Sequence, residues 1–394
     1  MHNKNVSHVS DLGQPYRALD PVMERPARPR IWRYIVLLIL IAALFGGWSW
    51  LWYQAADKAQ VAIDGWRARE AKAGRVYACD SQTLGGYPFR IEVNCDKASA
   101  LFSSNQPPVE VKASGILIAA QIYQPTLLIS EFSGPVSIAE PGQAPNIIAN
   151  WTLGQSSVAG TPAAPERASF VFDNPVVDRV IDGKRENYLH GKRIEVHGRI
   201  IEGSAASNPV IEMVTRLADT SAPGVHPGAA KPINADISAV LRGLSNFSPK
   251  PWPARFRELQ ANGGHIDITR ARVQQGETIA VGDGSVSLNA NGRLVGQLRV
   301  TVAGLEPFLD EIGAAKVVQN SPSVDKVAGA LDRFMPGLGN VARQTAGANV
   351  SFGINLLGQQ TTLEGKQAVT LPLRFDDGVI FMGPLKIGNA PALF

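Results

Sequence analysis

Residues 193–200 read Arg193-Ile194-Glu195-Val196-His197-Gly198-Arg199-Ile200, and the alternation within them decides the fold class. Apolar or small residues occupy every second position, with charged or polar ones between. Successive side chains of an extended chain point to opposite faces, so this pattern makes a strand with one face buried and one wet. The same period recurs at Ile233, Ala235, Ile237, Ala239 and Leu241, and at Leu294, Gly296, Leu298, Val300 and Val302. It returns at Val350, Phe352, Ile354 and Leu356, then at Val369, Leu371, Leu373 and Phe375. Such one-sided strands belong to antiparallel sheets. Turn residues separate them: Gly282-Asp283-Gly284, Asn289-Ala290-Asn291-Gly292 and Asp376-Asp377-Gly378. The expected fold is mainly β with a few helices (α+β), a meander of long antiparallel hairpins in one or more curved sheets.

Helical spacing is confined to short stretches. Residues 252–262 place Phe256 and Leu259 on one side and stop at Gly263-Gly264. Residues 307–318 offer Phe308, Leu309 and Ile312. Ser321 and Pro322 can start a helix that runs to Met335, with Val324, Val327, Leu331 and Phe334 on one stripe. Packing against a sheet explains that stripe most simply; the sharper alternative is a helix facing an apolar ligand inside an opened sheet. The Ala-, Pro- and Gly-rich stretch 222–232 reads as a linker between two β-rich parts, 75–221 and 233–394.

At the other end of the chain, residues 34–56 carry no charge and contain Ile35-Val36-Leu37-Leu38-Ile39-Leu40-Ile41. About 20 such residues cross the hydrocarbon core of a bilayer as a helix. Trp32 and Tyr34 stand before the run, and Trp48, Trp50, Trp52 and Tyr53 stand at its far end, the headgroup positions that amphipathic rings favour. A cleaved signal peptide would have a shorter apolar region followed by small residues, where this chain has indoles. The reading is therefore a single-pass signal anchor, spanning the inner membrane through residues 34–56. Six basic residues against three acidic ones precede Tyr34, which assigns the first 30 residues to a disordered cytoplasmic tail and the remainder to the periplasm. Residues 57–74, with Ala59, Ile63 and Trp66 on one stripe, read as a stalk helix ending at Gly74. Residues 1–33 carry +3 of the formal charge of +4, which leaves +1 beyond the apolar run, so the exported part has no basic face for nucleic acid.

Cys79 and Cys95 are the only cysteines. Between them Gly85-Gly86-Tyr87-Pro88 is a turn cluster, and Phe89, Ile91 and Val93 alternate with Arg90, Glu92 and Asn94. A hairpin folded near Tyr87 sets position 79 opposite position 95, within disulfide reach. Buried free thiols and a metal site are the alternatives; the absence of histidine between the cysteines makes a poor zinc site, and export to an oxidising compartment favours the disulfide.

Several of these segments together resemble a known family. They are the anchor, Ile63-Asp64-Gly65-Trp66-Arg67, the Cys79…Gly86-Tyr87-Pro88-Phe89-Arg90…Cys95 block, Gly263-Gly264-His265-Ile266-Asp267-Ile268 and the ending Gly378-Val379-Ile380-Phe381-Met382-Gly383-Pro384-Leu385. They are similar to the alphaproteobacterial domain-of-unknown-function family 2125, whose members are membrane-anchored periplasmic proteins. The resemblance implies a compartment and an architecture, and no activity.

Catalytic patterns are missing. Of His2, His8, His190, His197, His226 and His265, none forms a zinc-type pair on a helix, and neither a nucleophile elbow nor a phosphate-cradling lysine loop is present. Asp376-Asp377 fits a turn and Asp310-Glu311 a solvated helix surface. No cofactor and no metal is expected. The leading expectation is a non-enzymatic module binding an apolar ligand such as lipid on its sheet. A structural or assembly role with envelope proteins is the second expectation, and an unrecognised envelope hydrolase the third. A reporter that works only after export, fused behind Phe394, is expected to be active in cells; activity of a cytosol-only reporter at that position would overturn the orientation.

Overall fold

The computed structural model describes residues 31–160, 164–225, 227–248, 250–304, 358–382 and 385–394. The helices expected over 307–318 and 322–335, with Val324, Val327, Leu331 and Phe334, lie outside these residues, as do the strand expected over 350–356 and the tail before residue 31. The chain divides into two compact units, 1–50 and 51–394. Helix α1 (Ile31–Lys72) begins in the first and runs without interruption into the second. Among the described residues it is the one helix long and apolar enough to cross a membrane, with a mean hydropathy of 2.2 over its best window. Leu38, Leu40 and Leu44 are exposed on it, as lipid-facing side chains are.

In the second unit the chain continues as β1 (Arg75–Ala78), β2 (Ser81–Gly85), β3 (Arg90–Phe102), β4 (Val109–Gln121), β5 (Gln124–Ala139), β6 (Ile147–Asn150), β7 (Leu153–Ala159), β8 (Arg167–Asp173), β9 (Val176–Ile181) and β10 (Lys184–His190). Then come β11 (Arg193–Ser204), β12 (Ser207–Thr220), β13 (Ile233–Arg242), the short helix α2 (Trp252–Ala261), β14 (His265–Gln275), β15 (Thr278–Leu288) and β16 (Leu294–Ala303). The last strands are β17 (Gln359–Leu363), β18 (Lys366–Asp376), β19 (Val379–Met382) and β20 (Leu385–Asn389). All the described strands join one antiparallel sheet that does not close on itself. The segment 222–232 connects β12 to β13, and those two strands hydrogen-bond directly, so the sheet is continuous past it.

The strands read from period two are where the sequence puts them, at β11, β13, β16 and β18. Gly282-Asp283-Gly284 departs from its reading as a turn, because it lies inside β15. An extra residue in β14 at Thr269–Arg270 opposes this stretch, and Gly284 sits at φ 142° with its Cα side only 2.3 Å, from an ideal Cβ position, to the Gln297 carbonyl oxygen. The glycines therefore let a neighbouring backbone approach at a bulge. A second line of irregularity crosses the earlier strands at one level. Pairing is interrupted around Lys97, Ser114, Gly134, Trp151–Thr152, Asn174 and Asp219, and Lys97, Asn174 and Asp219 all have positive φ. Bulges bend strands and raise their twist, and aligned bulges let neighbouring strands bend together without losing register.

The second half of α1 lies along β1–β3 instead of standing free as a stalk. Trp52 and Ala56 are its buried residues. Gln60 accepts a hydrogen bond from Gln82 at 2.9 Å, Trp66 stacks on Tyr77 with ring centroids 4.7 Å apart, and Glu70 pairs with Arg75 at 2.6 Å. Helix α2 sits on the loop that leaves β13. Its Glu258 carboxylate accepts from the Ser245 backbone N–H and from Lys250, both at 2.7 Å, and lies 3.0 Å from Arg255. Burial pushes this carboxyl up, but the bonds from Lys250 and Ser245 and the charge of Arg255 outweigh it and hold the pKa at about 2, from an ordinary 4.5.

A depressed carboxyl pKa stabilises the fold above the unfolded value and loses that contribution as pH falls through the folded one. Glu258→Gln is expected to cost up to about 3 kcal/mol at pH 7. The gap from the parent, measured by urea unfolding of the detergent-solubilised chain, is expected to narrow as pH drops from about 4.5 toward 2; a pH-independent gap would refute the assignment.

Candidate functional site

In-register pairing carries the period-two pattern from strand to strand, so apolar positions line up in rows across the sheet. One row runs Cys95, Ile116, Phe132, Gly154, Phe172, Ile194 and Leu217, and continues to Val302 and Val369. The next contains Val93, Ile118, Phe170, Val196, Ile237, Val300 and Leu371. A third contains Ile91, Leu128, Val158, Met213, Ile268, Leu298 and Leu373. They form one apolar face spanning most of the sheet.

Coverage of that face is uneven. Near β16 and β18 Val302, Val369 and Leu371 are almost inaccessible, while Val300, Leu298 and Leu373 stay half-buried. Over β3–β12 most of the row residues are half-exposed, Cys95, Gly154 and Ser156 being buried, and Phe170 and Val196 retain 38% and 39% of their accessible surface. Fully burying such a side chain is worth about 1.5–3 kcal/mol, so each of these residues leaves part of that gain unrealised. Trp151 covers one spot. Its ring lies over Gly154, where an ideal Cβ would come within 2.4 Å of the indole nitrogen, and it packs on Phe172 at 4.8 Å while donating to the Phe132 carbonyl at 2.7 Å.

The opposite face is charged. Glu195 faces Arg216, Arg216 faces Asp236, and Asp236 faces Arg272, which pairs with Glu364 at 2.7 Å. Arg193 bridges Asp173 and Glu195, and Arg199 pairs with Glu212. The Arg193 guanidinium, with His197 beside it, holds the Glu195 carboxyl below its ordinary value. His197 thus lies on the polar side of its strand, 3.2 Å from Glu195. Shallow clefts of about 240 and 380 Å³ lie between these side chains. Among the described residues no three His, Cys, Asp or Glu side chains come together as metal ligands would.

The cysteines form a disulfide with Cα atoms 5.4 Å apart. Its register differs from a hairpin centred on Tyr87. The turn Gly86–Phe89 closes with the Arg90 N–H on the Gly86 carbonyl, so Cys95 pairs with Gln82. Cys79 reaches Cys95 because residues 79 and 80 fall between β1 and β2, where the chain leaves the ladder. Arg67 of α1 donates to the Cys79 sulfur at 3.3 Å. The turn Gly85-Gly86-Tyr87-Pro88-Phe89-Arg90 seats on the same helix: the Trp52 indole N–H donates to the Arg90 carbonyl at 2.8 Å, and its ring meets Tyr87 edge-on at 5.5 Å. The sequence reading assigned Trp52 to an aromatic belt and missed this second role. Its signal was the spacing Trp52, Ala56, Gln60, Ile63, Arg67, which makes one helical face continuous into the stalk.

The bridged hairpin, the turn on Trp52 and the strands that follow are what a family comparison matches. The chain belongs to the DUF2125 family. That family, described as an uncharacterized protein conserved in bacteria, matches residues 52–391. No curated protein matches the sequence. The DUF2125 match starts at the tryptophan that holds the turn and covers the whole described sheet.

In the chain-entropy description a bridge across 16 positions stabilises by about 3 kcal/mol. Cys79→Ser is expected to lower the unfolding free energy of the oxidised DUF2125 chain by about that amount, read from urea titrations with and without reductant; identical curves for parent and variant would remove the bridge from the stability of the domain.

Proposed function

We propose that this DUF2125 protein is held in the inner membrane by α1, with its sheet in the periplasm, and is a non-enzymatic module that carries an apolar ligand such as a lipid. The observation that carries the reading is the apolar face over β3–β12, most of whose side chains are half-exposed, Phe170 and Val196 the most open at 38% and 39%. Contiguous apolar surface of this extent on a folded protein marks a binding site. The disulfide supports an oxidising compartment, and the cationic residues before the apolar run support the orientation. Pairing of sheet edges with an envelope protein is less well supported, since the edge strand β10 bears Lys184, Arg185 and Glu186, charges that discourage strand addition.

Mass spectrometry of protein extracted without harsh detergent is expected to find co-purifying lipid. Val196→Asp, which puts a charge in the open part of the face, is expected to lose most of it while keeping parent-like circular dichroism. Extraction without any bound apolar molecule would overturn the reading.

A further inference from the structure

The contacts of α1 give the sheet two distinguishable ends. Trp52 meets Arg90 and Tyr87, Gln60 meets Gln82, Arg67 meets Cys79, and Glu70 meets Arg75, so successive turns of the helix reach successively farther from the β2–β3 turn. Trp52 lies inside the uncharged run 34–56. The end of the sheet that it holds is therefore the end whose helix contacts begin inside that run.

The corner of that end beside α1 has an unusual surface. The β2–β3 turn and the neighbouring β4–β5 turn are joined by the Ile122 N–H on the Phe89 carbonyl at 3.1 Å. Between them they expose Tyr87, Phe89 and Tyr123 at 48%, 63% and 72%, beside Tyr53 at 66%. Charge is absent as well: residues 81–89 and 113–130 contain no Asp, Glu, Lys or Arg. Other turns carry charge, with Arg293 and Asp377 paired farther along the same end and Asp182 and Glu364 at the opposite one, where Glu277 and Lys366 pair beside the latter. Aromatic rings on uncharged loops are favoured at the boundary between headgroups and hydrocarbon, where the ring is buried and the polar atoms stay wet. Charged turns are not.

We infer that the β2–β3 and β4–β5 turns dock into the headgroup region of the bilayer that α1 spans, with Tyr87, Phe89 and Tyr123 as interfacial anchors. The Gly86–Arg90 turn then has a dual task, gripping Trp52 through its backbone and presenting its rings to lipid. The docking is local to this corner. It is independent of what the sheet carries.

The test uses the full chain in nanodiscs of phosphatidylethanolamine and phosphatidylglycerol. Phe89, Tyr123, Asp182 and Glu364 are replaced one at a time by the photocrosslinking residue p-benzoylphenylalanine, and adducts are read by mass spectrometry. Phospholipid adducts are expected at 89 and 123, severalfold above those at 182 and 364. Equal labelling at all four positions, or adducts at 89 and 123 to protein alone, would overturn the inference. A retained disulfide and an unchanged urea midpoint verify that each variant is folded. The same probe at Val196, in mid-sheet, reports separately on lipid held by the apolar face, so failure of one idea leaves the other readable.

Discussion

A slip of one residue between β11 and β12 would set Glu195 opposite Thr215 or Leu217 of the apolar face, and Met213 opposite His197 or Arg199. Because the side-chain period of a strand is two, register alone decides which face each residue joins. Here that constraint is applied across many strands in succession, and the three apolar rows preserve it from β3 to β18. The bulges are compatible with it because they occur at matched levels, around Lys97, Asn174 and Asp219, or are absorbed by glycine, as at Gly284. Charge pairing reinforces the outcome: Arg193, Arg216 and Arg272 each find carboxylates directly across the ladder or beside it. Individually these exposed pairs are worth little. Their arrangement nevertheless penalises a slipped register, which would leave carboxylates among apolar side chains.

A sheet built this way has edges to protect, and α1 covers one of them. The helix runs along β1–β3, tied by Trp52 to the Arg90 carbonyl, by Gln60 to Gln82 and by Arg67 to the Cys79 sulfur. The disulfide closes the same corner from within the sheet. The second half of α1 and the first hairpin are thus tied together, and the family match begins at Trp52.

The strands were legible because alternation survives in isolation: β11, β13, β16 and β18 announce themselves in eight or ten residues. The disulfide partners were legible for the same local reason, a turn flanked by two cysteines. Their register was not, because the break at residues 79 and 80 is set by the geometry of the bridge and by Arg67, which is distant from the hairpin turn. Gly282-Asp283-Gly284 looks like a turn locally, and only its opposition to the β14 bulge makes it strand. The candidate site was least visible. Single strands show that an apolar face exists; the contrast between the open rows at Phe170 and Val196 and the sealed ones at Val302 and Leu371 depends on packing between remote segments.

The rows run across the strands, perpendicular to the chain direction, and neighbouring strands lie about 4.8 Å apart. Inserting one more two-stranded loop into such a meander lengthens the hydrocarbon-friendly track by about 10 Å and leaves every other pairing intact. Length along that axis is consequently decoupled from foldability. Duplication or loss of single hairpins can therefore lengthen or shorten the apolar face while the corner built on Trp52 stays unaltered.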